Sequence, residues 1–387
     1  MQLTILGQNI AAWRDLVGLS QAEVSSRTLL PRAKLSQIES GKLKPSPEDL
    51  KAISKVFDIG LLDLVKPPRV QLEKIRFRSS KKLKSRNEIL AKVARDLDSY
   101  AQLEMLLNEG QSISKIESIS LLIEKMEPRS PEKAAALARR ELHLDHKNSQ
   151  DVIRDLCGLL EKKAQVKVML VDLRNPDFFG LSVRDDKLGA AIVVNCWDRI
   201  SIERQIFTLA HELGHLLMHR FDFDPQKMEE EKSIEEEADK FASYFLMPRK
   251  LFEEEYRDAQ GLSLFDRVLK LKRLFRVSYK TVLYRLYECY GQNNIWKNFQ
   301  FEAKRSLGKT LSKIDEPLPC TSIRSEECEE MDKHDFVPDR RNLLALRAVL
   351  EDKISVSRAA EILNTDLDAI RAQLNSWKEN TLEAKSE

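Results

Sequence analysis

The segment His211-Glu212-Leu213-Gly214-His215 constrains the fold more than any other feature of this chain. Two histidines four residues apart lie one turn apart on the same face of an α-helix, about 6 Å along its axis. Apolar residues at 206–210 and 216–218 flank the segment and predict that this helix is buried. Buried imidazoles and carboxylates are costly without partners, and one cation within reach of both rings would pair with them. The segment therefore predicts a metal site on a buried helix, with hydrogen-bonded core histidines as the less favoured alternative.

The residue types and their spacing also indicate the chemistry of such a site. Zn²⁺ is commonly held by the two histidines of an H-E-x-x-H helix, and it lowers the pKa of a bound water to about 7. Glu212 projects about 100° away from the two rings, where a carboxylate is placed to take a proton from that water. We therefore expect His211 and His215 to bind Zn²⁺, or Mn²⁺ in its place, and Glu212 to act as the catalytic base of a hydrolase.

A zinc site of this kind needs a third protein ligand, and the acidic helix predicted at 233–248 is the expected donor. The apolar stripe of that helix consists of Ile234, Ala238, Phe241, Ala242 and Phe245. This stripe places Glu235 and Glu237 at the edges of the buried face and turns Glu236 outward. We choose Glu237 as the third ligand. We interpret His219 as the end of the metal-binding helix, with a substrate-orienting role left open.

The motifs around the two histidines also resemble a known family. Residues 207–219, together with 237–242 and Leu246-Met247-Pro248, resemble the ImmA/IrrE family of metallopeptidases over about the middle third of the chain. The resemblance implies a minimal zincin-like domain with the same three zinc ligands and the same general base. It also implies that the protein cleaves or inactivates a transcriptional repressor during a stress response or the induction of a mobile element.

The N-terminal region contains a second informative pattern. A short helix is predicted from about Leu19, with Ser20 as its N-cap and Glu23 closing a capping box. A second short helix is predicted over residues 31–39, and Gly41 ends it. The pair resembles the helix-turn-helix of the Xre/Cro type, in which the second short helix enters the major groove of DNA.

This second resemblance implies a set of DNA contacts. The residues expected at base edges are Arg32, Ala33, Lys34 and Gln37, and those expected at phosphates are Gln21 and Lys42. One departure concerns the turn, which reads Thr28-Leu29-Leu30-Pro31 and lacks the usual glycine. Because Leu29 tolerates a positive φ poorly, we expect a longer or differently closed turn. The alternative function for such a bundle is to grip a protein partner.

The chain has 387 residues, more than one hydrophobic core usually supports, which favours several domains. We expect a multi-domain, mainly α protein with an α+β core, which begins with a five-helix bundle. The predicted domains are a helix-turn-helix bundle at 1–67, a basic helical linker at 68–130, a zincin-like metallopeptidase domain with a small sheet at 131–290, a linker at 291–338 and a C-terminal helical region at 339–380. Helices at 134–142 and 149–164 and strands at 166–171, 180–183 and 190–195 are predicted inside the peptidase domain.

Composition argues against several other classes of protein. The five cysteines are odd in number, scattered and without C-x-x-C spacing, so neither a disulfide framework nor a cysteine zinc site is expected. No apolar run reaches the roughly 18 residues of a membrane span, and the N-terminus lacks the apolar core of a signal peptide. We therefore expect a cytoplasmic protein that does not contact a membrane.

Together these patterns predict a DNA-binding regulator with a zinc-dependent endopeptidase domain. We expect it to cleave a repressor or antitoxin in a stress, toxin–antitoxin or mobile-element response. The expected partners are that protein substrate and a double-stranded DNA operator, and a homodimer stays open. The alternative is a transcriptional regulator whose metal domain senses a ligand or partner without significant proteolysis. Glu212 favours the peptidase, because a structural metal site has no use for a base.

Overall fold

The computed structural model describes residues 3–57, 59–65, 67, 75–76, 86–109, 115–146, 149–185, 189–219, 232–291, 293–312, 315–316, 331 and 333–383. Parts of the basic helical linker predicted at 68–130 and of the linker predicted at 291–338 lie outside these ranges. The chain divides into two compact units. The first unit comprises Met1–Ser112, Val183–Gly189 and Asp339–Glu387, and the second comprises Ile113–Ser182 and Ala190–Pro338.

The described residues are mainly helical with a small sheet, as the sequence predicts. The α-helices are α1 (Leu3–Leu16), α2 (Gln21–Thr28), α3 (Arg32–Glu39), α4 (Pro47–Phe57), α5 (Arg86–Leu106), α6 (Lys115–Glu124), α7 (Pro131–Glu141), α8 (Leu156–Leu159), α9 (Ile202–Met218), α10 (Lys232–Leu246), α11 (Arg249–Asp258), α12 (Leu264–Phe275), α13 (Tyr279–Tyr290), α14 (Ile295–Leu307), α15 (Arg340–Leu350), α16 (Val356–Leu363) and α17 (Leu367–Glu383). The strands are β1 (Ile75–Arg76), β2 (Asp145–His146), β3 (Ser149–Gln150), β4 (Lys167–Val171), β5 (Gly180–Asp185) and β6 (Gly189–Asn195). Single 3₁₀ turns cover Asp63–Val65 and Lys333–Asp335, and a π-helical turn covers Leu160–Ala164.

The first unit begins with the predicted helix-turn-helix, formed by α2 and α3. The capping box is confirmed, since Ser20 Oγ accepts a hydrogen bond from the backbone N–H of Glu23 and Glu23 Oε2 accepts one from that of Ser20. The turn does lack a glycine, and Leu29 itself adopts the left-handed conformation, with φ 62° and ψ 12°. The side chain of Leu29 is 90% exposed, so no packing contact compensates for this backbone.

Helices α1 and α3 touch through their backbones. A Cβ atom on Gly7 would lie 2.3 Å from the carbonyl oxygen of Ile38, so only glycine permits this approach. Beside it, the Arg14 guanidinium donates to both carboxylate oxygens of Glu39, at 2.8 and 3.2 Å. Glu39 is buried, and a two-pronged ion pair of this kind satisfies its charge. The glycine and the ion pair together fix α1 against α3.

The C-terminal helices belong to the same unit and repeat the helix-turn-helix geometry. Helix α16 has eight residues, like α2, and Ser355 Oγ caps it by accepting from the backbone N–H of Arg358. Asn364 ends α16 in the left-handed conformation with φ 51°, as Leu29 ends α2. The fourth residue of the following helix is fully buried in both cases, Leu35 in α3 and Ile370 in α17.

Arginine side chains attach these C-terminal helices to the rest of the first unit. Arg358 donates to Asp63 Oδ1 at 2.6 Å and to Gln102 Oε1 at 3.2 Å. Two further arginines, Arg340 and Arg347, pair with acidic residues in or just after α5. Arg340 and Arg358 are largely buried, and buried guanidinium groups need such partners. The helices at the end of the chain are therefore packed with the N-terminal bundle. The domain boundaries predicted at residues 67 and 339 stay predictions.

In the small sheet, β5, β6 and β4 lie side by side in that order. Strands β4 and β6 are parallel, with Lys167 opposite Ala191 and Val171 opposite Asn195. All three predicted strands of this region are confirmed to within two residues at either end. Buried side chains of β4 and β6 share one hydrophobic core with those of α9 and α10, so the sheet supports both helices of the predicted metal site.

The helix predicted at 149–164 was wrong at its beginning. Residues Ser149–Gln150 form β3 and pair with β2 instead. The helical segment begins at Leu156, because Asp155 Oδ1 accepts from the backbone N–H of Gly158 and caps the first turn. An N-cap aspartate inside an otherwise periodic segment is the signal that marks this boundary.

The left-handed Leu29 predicts an unusual stabilising substitution. We expect Leu29→Gly to raise the free energy of unfolding of the N-terminal bundle by about 0.5–1 kcal/mol, because glycine adopts positive φ without the steric cost of a Cβ atom. Leu29→Ala, which keeps a Cβ, is the control and should bring no such gain. Slower amide hydrogen exchange in α2 and α3, resolved by mass spectrometry, would report the effect. Equal exchange in the two variants would contradict a strained turn.

Candidate active site

Helix α9 brings the two predicted histidine ligands together. It covers Ile202–Met218, and Ser201 caps it by accepting from the backbone N–H of Arg204. His211 is mostly buried and His215 fully buried, and their Nε2 atoms lie 3.2 Å apart. The predicted buried helix is therefore present, with both rings directed to one point.

Helix α10 crosses α9 at Gly214, the fourth residue of the H-E-x-x-H segment. A Cβ atom on Gly214 would lie 2.9 Å from Cδ1 of Phe241 and 3.3 Å from its Cβ. Phe241 is fully buried in the core and has no room to withdraw. The missing side chain at Gly214 thus sets how closely the acidic helix approaches the histidines.

Two buried arginines hold the other end of α10. Arg139 on α7 donates to the carbonyl oxygen of Phe245 at 2.7 Å, and Arg285 on α13 donates to that of Met247 at 3.0 Å. The last carbonyl groups of a helix have no partner within it and carry partial negative charge, so guanidinium groups stabilise them. The Arg285 guanidinium also lies 3.6 Å from the centre of the Tyr244 ring. These contacts fix the position of α10 along its axis.

The acidic residues of α10 take different positions around the histidines. Glu235 joins the cluster, because its carboxylate oxygen and one ring nitrogen each of His211 and His215 lie within 4.8 Å of one another. Asp239 Oδ1 lies 2.6 Å from His211 Nδ1, on the opposite side of that ring. Glu237, the ligand predicted from the sequence, instead has its Oε2 atom 3.2 Å from Nε2 of His219. The structure therefore brings Glu235, and not Glu237, to the histidine pair.

Glu212, the predicted base, lies next to the first residue of β5. Its side chain is buried, and a Cβ atom on Gly180 would lie 3.6 Å from Cγ of Glu212. The same Cβ would approach Cγ2 of Thr208 to 2.6 Å and the carbonyl oxygen of Val193 to 2.8 Å. Glycine is therefore required where the strand passes the base. The sequence did not predict a role for Gly180, because a glycine at the start of a strand gives no sign that a catalytic side chain lies beside it.

The predicted DNA contacts fall into two groups. Arg32, Ala33 and Gln37 are exposed on α3, and Lys42 is exposed just after it. The other two side chains already have partners inside the bundle. Lys34 Nζ pairs with Asp49 Oδ1 at 2.7 Å, and Gln21 Nε2 donates to Glu39 Oε2 at 2.8 Å.

The donor atoms of the cluster fit a divalent metal. Two imidazole nitrogens that each lie about 2.0–2.1 Å from a tetrahedral Zn²⁺ are separated by roughly 3.3 Å. The Nε2 atoms of His211 and His215 are 3.2 Å apart, and Glu235 Oε2 is 4.0 Å from His211 Nε2. Two imidazoles and one carboxylate are a ligand set that catalytic zinc sites use.

Comparison with known families agrees with this geometry. Residues 163–287, which include α9, α10 and most of α13, match the peptidase family model described as the IrrE N-terminal-like domain. Residues 10–64 match the model described as helix-turn-helix. The chain joins a helix-turn-helix domain to a metallopeptidase-type domain. A search of curated proteins finds no match to it. None of the helices described here is long and apolar enough to cross a membrane.

The close crossing at Gly214 predicts that a single methyl group disturbs the metallopeptidase-type site. Gly214→Ala should push α10 away and weaken zinc binding about tenfold or more, because Glu235 reaches the histidines only from that helix. Zinc affinity is measured by competition with a chromogenic chelator. The double variant Gly214→Ala/Phe241→Leu, which removes part of the ring, should recover part of the loss. Unchanged affinity in Gly214→Ala would show that the close approach is not needed.

Proposed function

We propose that this protein is a zinc-dependent endopeptidase with its own DNA-binding domain. The observation that carries the proposal is the convergence of His211 Nε2, His215 Nε2 and the Glu235 carboxylate inside a domain of peptidase type. We assign Glu235 as the third ligand in place of the predicted Glu237, whose carboxylate contacts His219. Mn²⁺ is the alternative ion, since imidazole and carboxylate ligands also accept it.

Each residue of the proposed site has a separate role in peptide hydrolysis. A bound Zn²⁺ supplies Lewis-acid polarisation of the scissile carbonyl and lowers the pKa of water to about 7. Glu212 takes a proton from the attacking water and later delivers it to the leaving amine, as a general base and then a general acid. Asp239 accepts a hydrogen bond from His211 Nδ1 and so holds that ring in orientation. The burial of Glu212 keeps bulk water away from the proton transfer.

We infer that the substrate is a repressor or antitoxin and that the setting is a stress, toxin–antitoxin or mobile-element response in the cytoplasm. The support is the fusion itself, because a DNA-binding domain in the same chain raises the local concentration of the peptidase near proteins bound to DNA. The exposed Arg32 and Gln37 on α3 are side chains suited to hydrogen bonds with guanine and adenine edges.

Substrate cleavage is the direct test of the peptidase. The zinc-loaded protein is incubated with repressor and antitoxin candidates encoded beside its gene, and the products are followed by mass spectrometry. Wild type should cleave one of them, and Glu212→Gln should lose at least about a hundredfold in rate while keeping its zinc, because only the base is removed. If both proteins leave every candidate intact while operator DNA is still bound, the metal domain is a sensor and the peptidase proposal is wrong.

The ligand assignment has its own test, by metal analysis. Glu235→Gln should lower the zinc content of the purified protein, since a neutral amide replaces a charged ligand. The matched control is Glu236→Gln on the same helix, whose carboxylate faces solvent beside Lys232. The control should keep one zinc per chain. Equal zinc content in the two variants would remove Glu235 from the site.

DNA binding is tested with an operator selected from a random pool of duplexes. Arg32→Ala and Gln37→Ala should each weaken binding to that operator about 10- to 100-fold and relax its sequence preference, as expected for side chains at base edges. Lys55→Ala, an exposed change on α4, is the control for loss of one positive charge or one long side chain. An effect of the same size in all three variants would contradict sequence-specific contacts between α3 and the base edges.

A further inference from the structure

His219 is a buried histidine that the proposed peptidase mechanism does not use. It is the residue that ends α9, and only 1% of its surface is exposed. Both of its ring nitrogens have partners: Nδ1 lies 3.0 Å from His215 Nδ1, and Nε2 lies 3.2 Å from Glu237 Oε2. His219 therefore contacts the side of the His215 ring that faces away from His211.

The three side chains form a chain of hydrogen bonds with a defined direction. The Glu237 carboxylate only accepts, so the proton between it and His219 is on His219 Nε2. A neutral imidazole carries one N–H, and His219 Nδ1 is then an acceptor. With His219 in this neutral form, the proton between the two rings is assigned to His215 Nδ1, which lies 3.0 Å from His219 Nδ1. This leaves the lone pair of His215 on Nε2, the atom that faces His211.

Asp239 has the same effect on the other ligand by a direct contact. Its carboxylate accepts from His211 Nδ1 at 2.6 Å, which leaves a lone pair on His211 Nε2. The two lone pairs then face each other across 3.2 Å, an arrangement that is repulsive until a cation lies between them. Both rings are thus fixed in the form that binds metal.

We propose that Glu237 and His219 are positioning residues that hold His215 in its metal-binding tautomer. The proposal rests on the metal site proposed above. In it, α10 supplies three carboxylates with three roles: Glu235 as a ligand, Asp239 on His211, and Glu237 acting on His215 through His219. The Arg129 guanidinium, 3.7 Å from Glu237 Oε2, adds an opposite charge that keeps this carboxylate in place.

Burial explains why the contact through His219 matters. Both His215 and His219 are shielded from solvent, so water cannot replace an acceptor lost from either ring. Removal of the His219 ring takes away the nitrogen that accepts from His215 Nδ1, so the His215 ring is less restrained in orientation and tautomer. Loss of such an outer partner weakens metal binding about 10- to 100-fold in known metal sites.

The first measurement is made on the metal-free protein, by NMR of histidine labelled with ¹⁵N. In wild type, His215 should be the Nδ1–H tautomer, and in His219→Leu the Nε2–H form should gain population. His219→Gln is the conservative variant, because its amide oxygen still accepts from His215 Nδ1, and it should keep the wild-type tautomer. A wild-type His215 that carries its proton on Nε2 overturns the proposal.

The second measurement is the affinity for Zn²⁺ and for Co²⁺, whose absorption spectrum also reports the ligand geometry. His219→Leu should bind both ions about 10- to 100-fold more weakly, and His219→Gln should stay within about threefold of wild type. Full affinity in His219→Leu overturns the proposal. If wild type binds neither ion, the proposed function fails, while the tautomers of the metal-free protein still decide the role of His219.

Glu237→Met provides a variant that leaves the buried rings intact. Glu237 is 44% exposed, so its replacement spares the core even where a change at His219 prevents folding. The variant should weaken Co²⁺ binding in the same direction as His219→Leu, because His219 Nε2 loses its acceptor. Glu236→Met is the matched control on the same helix and should bind like wild type. Equal affinity in the Glu237 and Glu236 variants contradicts the relay.

Discussion

The crossing of α9 and α10 at Gly214 is the contact on which the rest of the metallopeptidase-type site depends. Because Gly214 has no side chain, the ring of Phe241 packs directly on the backbone of the histidine helix. The two helices then lie close enough for carboxylates on α10 to meet imidazoles on α9. A larger residue at 214 would separate these carboxylates from the histidines. The packing of Phe241 on Gly214 in the core therefore also determines which side chains meet at the site.

The helix that carries these carboxylates is also fixed along its axis, by two buried guanidinium groups. Arg139 and Arg285 reach α10 from two different helices and bind carbonyl groups at its C-terminal end. A buried guanidinium is expensive, and each of these is satisfied by an acidic partner, Asp145 and Glu288. Apolar packing is non-directional, whereas hydrogen bonds to the carbonyl groups at the end of α10 define its position along the axis, and with it the position of Glu235 beside the histidines.

The sequence predicted which two helices meet, whereas the carboxylate that lies beside the histidine pair in the structure is Glu235 and not the predicted Glu237. The spacing of His211 and His215 and the apolar stripe of α10 determine which helices meet, and both are local properties. Glu235 and Glu237 lie on either edge of that stripe, so its pattern could not choose between them. The choice depends on how the two helices cross, which is set at Gly214 by a contact between distant residues. The strands were predicted well, whereas the left-handed conformation of the exposed Leu29 runs against the local preference of a residue with a Cβ atom.

The first unit contains two elements with similar helix-turn-helix backbones but different side chains. In α3 the exposed face offers Arg32 and Gln37 to a partner. In α17 the residues at the corresponding positions are Leu367 and Ala372, and Asp368 pairs with Arg371 at 3.1 Å. The preceding helix differs too, because Arg358 of α16 is directed inward to Asp63. The same cap and left-handed turn thus occur in both copies, and their side chains differ: Arg32 is exposed on the first, whereas Arg358 attaches the second to Asp63.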